Sequence, residues 1–122
     1  LTGPSLDGNA AADPLLPVER LEDVVDLVRD GADPRDPRLS PLYARFENPP
    51  PVLFQVGDGE ILRDDTVRMA AALRAAGGEV TTETWPGAPH VWQIFDGWVP
   101  EARAALASAA GFVQSSFAAT IR

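Results

Sequence analysis

The chain carries a single histidine, His90, which closes the turn Pro86-Gly87-Ala88-Pro89-His90. Upstream lie two acids, Asp58 and Glu60, in Gly57-Asp58-Gly59-Glu60. An imidazole that donates one ring N–H to a carboxylate is held in one tautomer, and its imidazolium is stabilised. Its other nitrogen then stands ready to take a proton from a serine hydroxyl. Both groups follow apolar or β-branched runs, and in open parallel sheets functional residues gather just beyond the carboxyl ends of the strands. Adjacent strands lie about 4.8 Å apart, so an acid and a histidine on neighbouring loops can meet. Pro86, Gly87 and Pro89 restrict the path of the histidine loop. By spacing alone a structural role fits as well: a lone histidine beside apolar Val91-Trp92 is more often a packed, satisfied side chain. Acids after a strand are commonly helix caps, and Asp64 and Asp65 are read first in that role.

The elements that must position these groups are legible in order. Val52-Leu53-Phe54-Gln55-Val56, entered through Asn48-Pro49-Pro50-Pro51, is short and almost wholly apolar, as in a strand buried on both faces. A helix follows, with Met69, Ala72, Leu73 and Ala76 as its apolar stripe and Gly77-Gly78 as its stop. Val80 to Trp85 is β-branched and aromatic and reads as a second strand. The unit is a βαβ crossover, right-handed by default. Upstream, Val18 to Arg29 shows a helical period, with Val18, Leu21, Val24, Val25 and Val28 on one face, Pro17 at its start and Gly31 at its end. Residues 1–17 are rich in Gly, Pro, Asp, Asn and Ala and read as a loop, with a composition that permits disorder. Three prolines between Pro34 and Pro41 forbid a helix there. Pro100 opens a long Ala-rich helix with Leu106, Ala109, Val113 and Phe117 on one face. Only two strands are convincing, and two parallel strands make a poor sheet with two open edges. The pattern predicts the end of a larger α/β domain, its sheet incomplete on its own.

Composition narrows the classes. At 122 residues the chain suits one domain. It begins at Leu1, which suggests a processed or truncated product. The net charge is -8 and every basic residue is arginine, with no cluster to follow a phosphate backbone, so nucleic acid is not an expected partner. Cysteine is absent, which removes disulfides and thiolate chemistry; with one histidine the usual zinc sites are also out of reach. No apolar run reaches the roughly 20 residues of a membrane span, and no signal-peptide pattern is present. The cytoplasm is the expected location.

Three separated motifs then carry a resemblance: Asp36-Pro37-Arg38-Leu39-Ser40-Pro41-Leu42, Pro50-Pro51-Val52-Leu53-Phe54-Gln55-Val56-Gly57, and Trp85-Pro86-Gly87-Ala88-Pro89-His90-Val91-Trp92. In that order they resemble the C-terminal portion of the hormone-sensitive-lipase-like esterases of the α/β-hydrolase superfamily, best from about Pro34 to Ala107. Phe95 to Leu106 fits that family's closing helix. The resemblance implies a C-terminal fragment of an α/β-hydrolase fold over residues 18–122. It implies that His90 is the catalytic histidine and that the acid falls on Glu60, in Glu60-Ile61-Leu62-Arg63-Asp64-Asp65. The usual residue there is Asp, and Glu serves the same role in some α/β-hydrolases; Asp58 is the alternative if the loop register differs. Trp92, Phe95 and Trp98 are candidates to line an acyl pocket or to pack. The superfamily nucleophile sits in G-x-S-x-G, and none of Ser5, Ser40, Ser108, Ser115 and Ser116 does; Gly3-Pro4-Ser5-Leu6-Asp7-Gly8 reads as a loop. The His-Gly-Gly-Gly oxyanion segment is also absent. The expectation is therefore part of a serine carboxylesterase acting on short- to medium-chain acyl esters, without metal or cofactor, and inactive by itself. The rival is a non-catalytic module that associates through its open strand edges with a second copy or with the missing N-terminal part.

Overall fold

The computed structural model describes residues 2–120. Two parallel strands, β1 (Val52–Gly57) and β2 (Val80–Trp85), pair in register from Val52 opposite Val80 to Gly57 opposite Trp85. Four helices accompany them: α1 (Ser5–Gly8), α2 (Val18–Arg29), α3 (Arg63–Ala75) and α4 (Pro100–Thr120). Short 3-10 turns at Pro41–Tyr43 and Trp92–Phe95 complete the elements of the described residues. Helix α3 connects the strands and packs on both, while α4 packs on β1 and on the turn at Trp92–Phe95.

The core gathers in two places. Val56, Ile61, Ala70 and Leu73 are buried where β1 and its following loop meet α3. A second cluster joins Ala88 and Trp92 to Ala102 and Ala105 of α4, with Trp85 and Phe95 packed against it. Small alanines let α4 approach closely enough for Trp92 to be 2% exposed.

Helix ends follow the sequence chemistry with two shifts. Helix α2 stops on Asp30, itself in the left-handed region at φ 45°, followed by Gly31 at φ 80°. Helix α3 ends in a Schellman arrangement: the Gly77 N–H donates to Arg74 O at 3.0 Å and the Gly78 N–H to Leu73 O at 2.9 Å. At its start, Asp64 and Asp65 are not caps. Leu62 holds the N-cap position, and the two acids lie inside the first turn, where they face the positive end of the helix dipole.

Two further expectations change. Leu1 lies outside the described residues, and residues 2–17 are not a plain loop, because Ser5–Gly8 forms a helical turn and Ser5 and Asp13 are buried. Their partners lie far away in the chain, which local composition does not reveal. Strand β1 is only half-buried along Val52–Gln55 and fully covered at Val56 and Gly57. Its apolar character anticipates a second neighbour that the described residues do not supply. Helix α2 makes the same point: Val24, Val28 and Leu27 are exposed, the last at 81%. Between α2 and the proline-rich connection lies an open apolar cleft of about 420 Å³, lined by Val25, Val28, Pro34, Leu39 and Met69 among others.

Candidate active site

The acid and the histidine are delivered by the carboxyl ends of β1 and β2. After Gly57 the backbone turns, with the Glu60 N–H directed to Gly57 O at 3.3 Å. That turn folds the Glu60 side chain back against the strand it has just left. Oε1 accepts the Gly57 N–H at 2.6 Å, and Oε2 lies 2.7 Å from His90 Nδ1. Glu60 is 4% exposed, and a buried carboxylate is tolerated only where hydrogen bonds replace its water. Here both oxygens have a partner: a backbone amide on one and the imidazole Nδ1 on the other, which donates in the Nδ1–H tautomer. The longer reach of Glu suits this geometry, since one carboxylate spans from the strand end to the neighbouring loop.

The histidine loop is held from several sides. The Gly87 N–H donates to Asp58 Oδ1 at 2.8 Å, and the Asp58 N–H donates to Trp85 O at 3.1 Å. Asp58 thus staples the two loops together through the backbone, and it is Glu60 that contacts the imidazole. The loop passes so close to β1 that a Cβ on Gly57 would sit 1.9 Å from Ala88 O, which makes glycine obligatory there. Beyond His90, Val91 adopts φ 51°, a costly conformation for a β-branched residue. It is held there by Trp92, which turns inward against Ala102 and Ala105 and lies 5.7 Å, ring centre to ring centre, from Trp85. The His90 side chain remains 29% exposed. The pair is therefore locked on its Nδ1 side and open to incoming groups.

The aromatic candidates separate. Trp92 and Phe95 pack into the α4 cluster, and Trp98 is 89% exposed. Three of the serines are engaged elsewhere: Ser5 Oγ donates to Ile61 O at 2.7 Å, Ser108 Oγ donates to Glu83, and Ser115 Oγ donates to Phe112 O at 2.9 Å. Among the described residues no cluster of three or more His, Asp or Glu side chains is arranged to hold a metal ion.

Two groups of residues escaped the sequence reading. One is the N-terminal set Ser5, Asn9 and Asp13, whose side chains bond the loop that carries Glu60. The Asn9 amide donates to Glu60 O at 2.8 Å and to Asp58 O at 3.2 Å. Asp13 Oδ2 accepts the Ile61 N–H at 3.2 Å. Ser5 and Asp64 bond reciprocally: Ser5 Oγ accepts the Asp64 N–H at 3.0 Å, and Asp64 Oδ2 accepts the Ser5 N–H at 2.7 Å. The only signal was their four-residue spacing, which is meaningful only once the backbone is known to coil. The other group lies between sheet and α4. Glu83 accepts from Gln55 at 2.9 Å, from Trp85 Nε1 at 3.3 Å and from Ser108, while Gln55 also donates to Ala105 O at 2.8 Å. Burial pushes the Glu83 carboxyl up, but the hydrogen bonds from Ser108, Gln55 and Trp85 outweigh it and hold it below its ordinary range. Gln55, the one polar residue in an apolar strand, was the visible clue.

Two parallel strands with a connecting helix, an acid after the first and a histidine after the second are the closing portion of an α/β-hydrolase sheet. A family model described as alpha/beta hydrolase fold matches residues 2–94, and the chain belongs to that family. Within it, the similarity is to bacterial hormone-sensitive-lipase-type esterases. An esterase of Acinetobacter venetianus is 39% identical over 116 residues, covering 94% of this chain and 38% of the relative. An acetyl-hydrolase of Streptomyces hygroscopicus is 38% identical over 104 residues, covering 80% of this chain and 35% of the relative. The crystal structure of an esterase from the bacterial hormone-sensitive lipase family matches with a TM-score of 0.91 at 38% identity, over 94% of this chain and 39% of that one. The chain thus spans well under half the length of the relatives it matches. Among the described residues no helix is long and apolar enough to cross a membrane.

Proposed function

We propose that this chain is the acid- and histidine-bearing part of a serine carboxylesterase acting on short- to medium-chain acyl esters. The observation that carries the reading is the 2.7 Å contact between Glu60 Oε2 and His90 Nδ1, with the His90 side chain still partly exposed. The esterase and acetyl-hydrolase activities named for the relatives support the substrate class.

In this reading Glu60 fixes the Nδ1–H tautomer, leaving Nε2 as general base. A serine supplied from outside these residues gives its proton to Nε2 as its oxygen attacks the ester carbonyl carbon. The resulting imidazolium, stabilised by Glu60, protonates the departing alkoxide as the C–O bond breaks, leaving an acyl-serine. Water enters by the same route: Nε2 takes its proton, the acyl bond is cleaved, and the proton returns to serine. No step calls for a metal or cofactor. The test is hydrolysis of p-nitrophenyl esters of graded chain length by the complete protein. Turnover highest on short acyl chains, with nearly all kcat lost in His90→Ala, is the expected result. Turnover in His90→Ala like that of the unaltered protein would sink the assignment. The 122-residue chain alone is expected to release no p-nitrophenol above the solvent rate.

The competing reading, a self-associating module without catalysis, draws on the exposed apolar residues of α2 and α4. A complete protein that binds esters without cleaving them would favour it.

A further inference from the structure

The loop that carries Glu60 has little of its own to hold it. Between β1 and α3 its internal backbone bonds are Glu60 N–H to Gly57 O and Arg63 N–H to Glu60 O, both at 3.3 Å and long for N–H···O bonds. What surrounds it is better made. The N-terminal backbone coils so that the Asn9 N–H donates to Ser5 O and the Asp13 N–H to Asn9 O, each at 3.0 Å. Successive four-residue steps bring the Ser5, Asn9 and Asp13 side chains to one side. Each bonds the backbone of the acid loop: Asn9 at Asp58 O and Glu60 O, Asp13 at Ile61 N–H, and Ser5 at Ile61 O and Asp64 N–H. Ser5 and Asp13 are themselves buried, and Asp13 is fixed in turn by the N–H groups of Leu15 and Leu16 at 3.1 and 3.2 Å.

We infer that Ser5, Asn9 and Asp13 form a positioning ladder for the catalytic acid, setting the backbone from which Glu60 reaches His90. The inference rests on the triad reading above. These residues touch neither substrate nor imidazole; they act through Glu60. A shift of about 1 Å in a reacting group is enough to cost on the order of a hundredfold in rate, so relaxing the loop reads out in kcat and not in substrate binding.

The experiment is a double-mutant cycle in the complete protein with p-nitrophenyl butyrate as substrate. Asn9→Ala and, separately, Asp13→Asn are combined with Glu60→Ala, with folding of each variant followed by circular dichroism. The expected result is that each single ladder variant remains folded and loses about 10- to 100-fold in kcat, with KM within about twofold. In the Glu60→Ala background the same substitutions cost less than about twofold more, because the group they position is gone. Unchanged kcat in folded ladder variants overturns the proposal. So do losses that multiply fully with that of Glu60→Ala, which would mean an effect on some other part of the site. Loss of folding in both ladder variants overturns it too, since the residues would then hold the fold and not the acid. The triad reading fails separately, and the ladder with it, if Glu60→Ala alone keeps full activity.

Discussion

A single carboxylate with two different duties sets the local design at the residue scale. Glu60 Oε1 is committed to the strand-end amide of Gly57 and Oε2 to His90, so the carboxylate bridges the strand end and the histidine loop. Shortening it by one methylene forces a choice between the two bonds. Glu60→Asp is expected to lower kcat of the complete protein by roughly tenfold or more, and Glu60→Gln by about 10³–10⁴, the cost of a wrong tautomer in related triads. Steady-state kinetics on p-nitrophenyl butyrate separates the two; equal rates for Asp and Glu would show that the Gly57 anchor is irrelevant. Gly57 makes a sharper case. A methyl group there would overlap Ala88 O, and no flexible side chain can yield, because the obstacle is backbone. Gly57→Ala is expected to destabilise the protein by about 1–3 kcal/mol by the overpacking mechanism and to depress kcat by displacing the histidine loop, checked by thermal denaturation and turnover on one preparation.

Elements are joined here by polar contacts over long sequence separations. Helix α3 carries no cap from its own flank; the Ser5 hydroxyl accepts the Asp64 N–H from the start of the chain, and Asp64 Oδ2 accepts the Ser5 N–H in return. Ser5→Ala removes a capping acceptor and also strips the buried Ile61 carbonyl of its donor. A loss of about 1–2 kcal/mol is expected from urea denaturation; no change would mean water takes over both bonds. The Glu83 cluster joins β1, β2 and α4 in the same manner. Its carboxyl titrates below the ordinary range despite burial, so the folded state favours the ionised form. Linkage then fixes the sign: the contribution is complete above the ordinary value of 4.5 and lost as pH falls through the lower folded value. The thermal midpoint of the unaltered protein is expected to fall more steeply below pH 4.5 than that of Glu83→Gln. Parallel pH profiles would remove Glu83 from the account of acid sensitivity.

At the scale of the whole molecule the dominant feature is unfinished burial. A two-stranded parallel sheet leaves rows of backbone donors and acceptors open at its edges, and α2 and α4 present Leu27, Val28, Val113 and Phe117 to solvent. Parallel sheets are normally covered on both faces. The chain spans 38% of the length of the Acinetobacter relative. Expressed by itself, the 122-residue chain is expected to bind a dye such as ANS and to elute above its 13.0 kDa mass in size-exclusion chromatography. A monomer that binds no dye would show that these faces close on themselves.

Much of this architecture is written in local pattern. The strands at Val52 and Val80, the helices between and after them, and the tight turn before His90 all follow from periodicity, proline placement and glycine stops, which act over a few residues. The pairing of acid and histidine was legible because both follow strands that had to be neighbours. Tertiary structure alone decided that Glu60 and not Asp58 meets the imidazole, because that choice depends on a turn folding one carboxylate back onto Gly57 and sending the other to Gly87. It alone revealed Ser5, Asn9 and Asp13 as supports, since a polar side chain in a glycine- and proline-rich segment looks the same whether it bonds water or a loop fifty residues away. Short-range preferences are carried by the residues themselves; the partner of a hydrogen bond is chosen only when distant backbone is brought within bonding distance.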